Sequence, residues 1–414
     1  MIRLLLALTF TVSFATLTPA ADPPKGFFFQ KGDRVLFLGD SITEQYQYSS
    51  DIELYLTTRF PKANFFFLNA GIGGDTANGG AGRFQSHVLD EKPTAITINF
   101  GMNDGGYGAF NPNSNKNFVA KTEAMLDAAK KAGVRVALVS PNAVDPRVAE
   151  RFKLYLETQK QFYAPLKEAA AKYGAEYVDQ YGITRAELEA MAKDDPTAQK
   201  AKPFGDGFHT SSPGGLLMAH AILTGLKAPA LVSNVSIDAK AAKADAKQAT
   251  VTDVAATSGG VTFTRTDEAL PLPVQKDWLP MLPYLNELKD LNWYGLTVTG
   301  LAVGEYAVKI DGKEVAKYTA KQLSEGVNLG NLTAGPIWDH SNKLFEAINA
   351  KNRIVHGRFR GVILSQVPDW LADVAKERKP VELTKRMEAI VAAQAAVNKL
   401  AEPQPHKFEI TPVK

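Results

Sequence analysis

Between residue 35 and about residue 227, short apolar runs alternate with longer segments in which apolar positions recur every three or four residues. Candidate strands are 35–38, 64–68, 95–100, 134–139 and 176–178, and the first is an unbroken apolar run closed by Gly39, the pattern of a strand buried on both faces. Between them, 50–59, 118–132 and 148–173 carry helical periodicity, and in the last of these Phe152, Tyr155, Leu156, Gln159 and Tyr163 recur at helical spacing. Ser50 followed by Glu53 fits a capping box that opens the first helix, and Gly133 stands where a helix C-terminus wants glycine. Strand, helix, strand, repeated, implies right-handed crossovers and a three-layer α/β domain built on a parallel sheet.

After residue 227 the texture changes. Runs at 235–238, 249–254, 261–266, 296–301 and 306–310 alternate apolar with polar residues, Ser258-Gly259-Gly260 supplies a turn, and Asp311-Gly312 before 313–318 signals a hairpin. These predict a small antiparallel module. From Trp338 the pattern turns helical again, and in 381–400 the residues Leu383, Met387, Ile390 and Val391 are expected to line one buried face. The expected organisation is 1–21 signal peptide, 26–229 catalytic α/β domain, 230–335 β-rich accessory module and 336–414 mostly helical region.

Composition narrows the function. Forty-seven basic against 44 acidic residues leave a net charge of +3, too balanced to argue for nucleic acid or an anionic membrane as partner. With no cysteine in 414 residues, disulfides, thiolate metal sites and a cysteine nucleophile are excluded together. The start has the three parts of a secretory signal: Arg3, an apolar stretch from Leu4 to Leu17, and small residues near Ala20 or Ala21. The mature chain is therefore expected to be secreted or periplasmic, with no integral membrane segment after cleavage.

The chemistry gathers at the carboxyl ends of the predicted strands, where open α/β sheets bind ligands. The first strand runs into Gly39-Asp40-Ser41, the second into Asn69-Ala70-Gly71-Ile72-Gly73-Gly74-Asp75-Thr76, and the third into Gly101-Met102-Asn103-Asp104. Gly205-Asp206-Gly207-Phe208-His209 follows downstream. A glycine-rich turn can cradle phosphate, but the lysine of a phosphate-binding loop is missing. A serine hydroxyl needs a base to take its proton, and histidine serves best when its second nitrogen is held by an acceptor. A turn at 206–209 would fold Asp206 back onto His209 and leave the other ring nitrogen facing Ser41. The backbone N–H groups of Ser41 and Gly74 and the amide of Asn103 would supply oxyanion donors. Asp40 is expected to shape the turn rather than join the triad.

In order and spacing these four blocks resemble those of the SGNH (GDSL-type) hydrolases, over roughly residues 33–227. Position 73 is Gly where relatives often carry Ser, and Ile42 stands where the motif's name has Leu. The resemblance implies a flavodoxin-like sheet order, with Ser41 as nucleophile, His209 as base, Asp206 as orienting acid, and Ser41, Gly74 and Asn103 as the oxyanion hole. It gives no account of the chain after residue 230.

The expectation is a secreted serine esterase acting on a small-molecule or polysaccharide ester, with carbohydrate deacetylation first and no metal or organic cofactor. The polar stretch 103–117 reads as a long flexible loop suited to setting specificity. A lipase or lysophospholipase is the enzymatic alternative, and a non-catalytic carbohydrate-binding surface protein is the alternative from another class. His87, His220, His340, His356 and His406 are read as structural or surface residues, and Trp338 with Asp339 and His340 as loop and core rather than a sugar site.

Overall fold

The computed structural model describes residues 22–413. The expected signal peptide lies outside them. Among the described residues no helix is long and apolar enough to cross a membrane.

Five strands, β1 (Arg34–Gly39), β2 (Phe66–Asn69), β3 (Ala95–Asn99), β4 (Arg135–Val139) and β5 (Glu176–Val178), form one sheet in the order β2-β1-β3-β4-β5. Every neighbouring pair is parallel, which is the flavodoxin-like arrangement. Val35 to Leu38 are all buried, so both faces of β1 are covered, as an unbroken apolar run requires. The carboxyl ends of β1 and β3, side by side at the centre, deliver Ser41 and Asn103 to one edge.

Three of the expected helices differ from the sequence reading, and the one expected at 118–132 starts earlier, at Pro112. The first runs Gln47–Arg59 and starts after Tyr46, whose φ of 61° breaks the chain from the short helix Ser41–Glu44. Ser50 and Glu53 thus lie inside the helix rather than capping it. Both are buried and bonded to Asn352 and Lys351, so a pattern that mimics a local cap serves a contact far away in sequence. The segment 148–173 is two helices, Phe152–Tyr163 and Leu166–Tyr173, parted at Ala164-Pro165 because proline offers no N–H to carry the ladder through. The second strand sits slightly later than expected, at Phe66–Asn69.

Beyond the α/β layer, nine strands form two further sheets. These are β6 (Leu231–Asp238), β7 (Lys243–Lys247), β8 (Ala249–Thr257), β9 (Gly260–Asp267), β10 (Trp293–Thr299), β11 (Glu305–Ile310), β12 (Lys313–Thr319), β13 (Val327–Asn328) and β14 (His406–Pro412). Their orders are β13-β10-β6-β7 and β12-β11-β14-β9-β8. The module is not wholly antiparallel as expected: β10 pairs with β6 in parallel, because three strands and a run of 3-10 turns intervene and return the chain to the same end. Val235, Ile237 and Leu296 of one sheet and Phe263, Val308, Phe408 and Ile410 of the other share a common core.

The last hundred residues divide between the two cores. Leu344, Ile348 and Val355 of the helix Pro336–Arg358 join the apolar core of the α/β layer, while β14 inserts between β9 and β11. In the helix Ala372–Leu400 the buried positions are Ile390, Gln394 and Val397. Val391, expected in the buried face, is 52% exposed, since that helix packs along only a narrow stripe.

Candidate active site

Ser41 opens the helix Ser41–Glu44 directly after β1, and its Oγ lies 2.8 Å from Nε2 of His209. Nδ1 of the same ring is 2.7 Å from Oδ2 of Asp206. The loop that carries both partners is tied by the bridge between Phe204 and Thr210, and Asp206 Oδ1 accepts the N–H groups of Phe208 and His209. Gly207 makes this turn possible. Its φ is +102°, and a Cβ there would stand 2.3 Å from the ring of Phe152. Partial burial pushes the Asp206 carboxyl up, but hydrogen bonds from the His209 ring and from the two N–H groups outweigh it and hold the group below the ordinary carboxylate range.

Asp40 accepts the Ile42 N–H at 3.0 Å and so caps the nucleophile's helix. It is fully buried, and desolvation, with lesser repulsion from Asp104 and Asp75, raises its carboxyl to about 7. Asp104 also rises to about 7, chiefly by burial, although the Ala77 N–H donates to it.

The three expected oxyanion donors share this edge. Gly74 has φ +76° and nothing within 4 Å of where a Cβ would stand. Among the described residues neither the Ser41 N–H nor the Gly74 N–H has an acceptor. Asn103 donates one amide hydrogen to the Asp75 carbonyl at 2.9 Å and has its Oδ1 held by the Tyr107 hydroxyl at 3.1 Å, leaving its second N–H. Asp75 is fixed in turn by a salt bridge to Arg83 at 2.8 Å, and Thr76 caps the next helix.

The stretch expected to be a flexible loop is short and pinned. Helix begins at Pro112 with Asn111 as cap, and Tyr107 lies against Phe208 and Tyr155 at ring separations of 4.8 and 5.2 Å. The Thr158 hydroxyl donates to the Gly108 carbonyl. Glycines at 105, 106 and 108 read as flexibility, but the aromatic between them supplies the anchor.

Sequence reasoning missed Glu44, Gln45, Arg83 and Tyr107. Glu44 and Gln45 follow Ser41 within one helical turn, a local signal that was available; Arg83 and Tyr107 find their roles only through packing. Of the remaining histidines, His220 bonds to Asp290, His340 to the Leu400 carbonyl and His406 to Asp311. His356 reaches Glu44 at 3.5 Å, next to the site. Trp338 donates to the Val274 carbonyl, as a structural side chain would.

A three-layer α/β fold with a serine, a histidine and an acid in line at the sheet edge defines a serine-hydrolase type of site. Residues 37–215 match the GDSL-like lipase/acylhydrolase family. Along nearly its whole length the chain resembles the solved structure of BT4096, a gut microbial diltiazem-metabolizing enzyme: TM-score 0.81, 23% identity, 95% of this chain and 100% of that one. That likeness extends the shared fold through both additional sheets and the late helices. An acetylxylan esterase of Geobacillus stearothermophilus superposes on 48% of this chain and 96% of its own, with 20% identity and a TM-score of 0.42. An uncharacterized lipoprotein, YqeF of Bacillus subtilis, is 51% identical over 43 residues, which span 10% of this chain and only 18% of that protein.

Proposed function

We propose that the chain is an exported serine esterase that removes a small acyl group, acetyl first, from a hydroxyl-rich substrate such as a carbohydrate. The observation that carries the reading is the unbroken contact chain from Ser41 Oγ through His209 to Asp206, with vacant N–H donors beside it. In this reading His209 takes the Ser41 proton as Oγ attacks the ester carbon, and Asp206 holds the ring and stabilises its charged form. Charge developing on the carbonyl oxygen is met by the N–H groups of Ser41 and Gly74 and the Asn103 amide. His209 returns the proton to the leaving alcohol, and water then releases the acid by the same steps reversed.

A short acyl group is supported by the aromatic side chains at the site, where the Phe208 ring sits 4.3 Å from the His209 ring and the Tyr107 hydroxyl donates to Asn103 Oδ1. Export is supported by the leader-like pattern of residues 1–21 and by the lipoprotein name of the partial relative. Residues 26–229 carry the chemistry in this reading, with 230–335 and 336–414 as additions to it.

The test is acetate release from acetylated oligosaccharides together with a chain-length series of nitrophenyl esters. Ser41→Ala and His209→Ala should each lower kcat by roughly 10⁴ to 10⁶, and Asn103→Ala by about 10² to 10³. Preference for long acyl chains would favour a lipase. Failure of a fluorophosphonate to label Ser41 would overturn the catalytic assignment in favour of a binding protein.

A further inference from the structure

Behind the nucleophile's helix opens a cleft of about 560 Å³. One wall is the turn Glu44–Gln47, the other the helix Pro336–Arg358, with Phe345, Asn349, Asn352, Arg353 and His356 facing in. The cleft begins one helical turn after Ser41. It also touches the triad loop, because the Gln45 side chain accepts both the N–H and the hydroxyl of Thr210, the residue after His209. The cleft therefore adjoins both the helix that carries Ser41 and the loop that carries His209.

Its polar groups fall into two sets. Asn352 is committed to Ser50 and Glu53, and His356 and Arg360 to Glu44. Arg353 and Asn349, one helical turn apart, have no hydrogen-bond or ion-pair partner among the described residues. The Tyr46 hydroxyl is buried without a partner on the opposite wall. The charged groups lining the cleft are Glu44 and Arg353; Glu44 is paired with Arg360 outside the cleft, and Lys351 behind is balanced by Glu53. One cation is left over. A guanidinium free to form two parallel hydrogen bonds is matched by a carboxylate, and the amide one turn away is matched by a hydroxyl group.

We infer that this cleft is the subsite for the alcohol portion of the substrate, and that it takes a sugar bearing a carboxylate, whose acid group pairs with Arg353. The inference rests on the esterase reading for the subsite's place in the reaction, but the binding it requires is measured separately. It gives the helix Pro336–Arg358, far down the chain from the four motif blocks, a part in choosing the substrate.

The experiment is titration calorimetry of full-length protein with digalacturonic acid and with its neutral bis-amide, alongside turnover of 4-nitrophenyl acetate. Neither sugar carries an acyl ester, so binding is read without reaction. The acid should bind about tenfold more tightly than the amide, Arg353→Ala should abolish that difference, and Arg353→Lys should keep part of it. Arg353 is exposed, so these variants should melt with the wild type. Equal affinity for the two sugars, or a preference that survives Arg353→Ala, would overturn the inference. Absence of nitrophenyl acetate turnover would defeat the esterase reading and leave the titration to decide the binding site.

Discussion

Glu44 Oε2 accepts the N–H of Gly73 at 2.5 Å, while its Oε1 lies 3.2 Å from Nε of Arg360 and 3.5 Å from Nε2 of His356. One carboxylate thus joins the turn that aims the Gly74 N–H to the end of the helix Pro336–Arg358 and the turn that follows it. It acts on the reaction only by positioning.

Glu44→Ala should free the 72–74 turn and lower kcat on nitrophenyl acetate about ten- to a hundredfold, the worth of one well-placed hydrogen bond, with little change in KM. Glu44→Gln keeps an oxygen to accept the Gly73 N–H and should recover most of the loss. Steady-state kinetics of the two variants check this, and equal loss in both would point to the charge rather than the bond.

Asp40 makes stability depend on pH. Its folded value of about 7 lies above the ordinary 3.8, so the folded state holds the proton more tightly than the unfolded chain. The contribution is full below pH ~4 and is lost as pH rises through ~7, a change of about 4 kcal/mol for such a shift. Melting temperature should therefore fall between pH 5 and pH 8. Asp40→Asn retains the oxygen that caps Ile42 but does not ionise, and it should reduce that slope to the part that Asp104, raised to the same value, supplies; an unchanged slope would assign the effect elsewhere.

The parallel sheet and the Asp206–His209 turn were legible because each depends on local pattern, an apolar run in a buried strand and an Asp-Gly-Phe-His turn with few ways to fold; Ser41 was linked to them only through the order of the four motif blocks. What escaped was set by contacts distant in sequence. Glu53 looked like a helix cap and is the buried partner of Lys351; β10 was expected in an antiparallel module and pairs in parallel with β6. Residues 103–117 looked loose because glycine and asparagine are loop formers, whereas the anchor, Tyr107 between Phe208 and Tyr155, is visible only once three separate segments meet.

The Glu53–Lys351 pair offers a test of how the late helix is attached. Both side chains are at most 1% exposed, with Nζ 2.5 Å from Oε1, and Asn352 and Gln394 complete the network. Desolvation lowers the lysine's affinity for its proton and raises that of the carboxyl, each opposed by the other's charge. Lys351→Met alone should cost about 3–5 kcal/mol because it strands a buried carboxylate, while Glu53→Met with Lys351→Met should recover most of that. Denaturant unfolding of the single and double variants measures the difference.

Gly207 allows the triad loop to be tested without touching a reacting group. An alanine there meets two obstacles at once: a φ of +102° that a Cβ disfavours, and the ring of Phe152 at 2.3 Å. Phe152 is itself fully buried and cannot swing aside, so the loop must move, carrying Asp206 and His209 with it. A displacement near 1 Å at the base costs on the order of 10²-fold in rate, so Gly207→Ala should lower kcat by about that factor and stability by roughly 1–3 kcal/mol. Gly205→Ala is the matched control: it lies in the same loop, has no left-handed φ and has nothing within 4 Å of the added carbon. It should leave both kcat and melting temperature near wild type. Equal losses in the two variants would mean that the loop tolerates no side chain at all, and that the turn at Gly207 is not what sets the distance from His209 to Ser41.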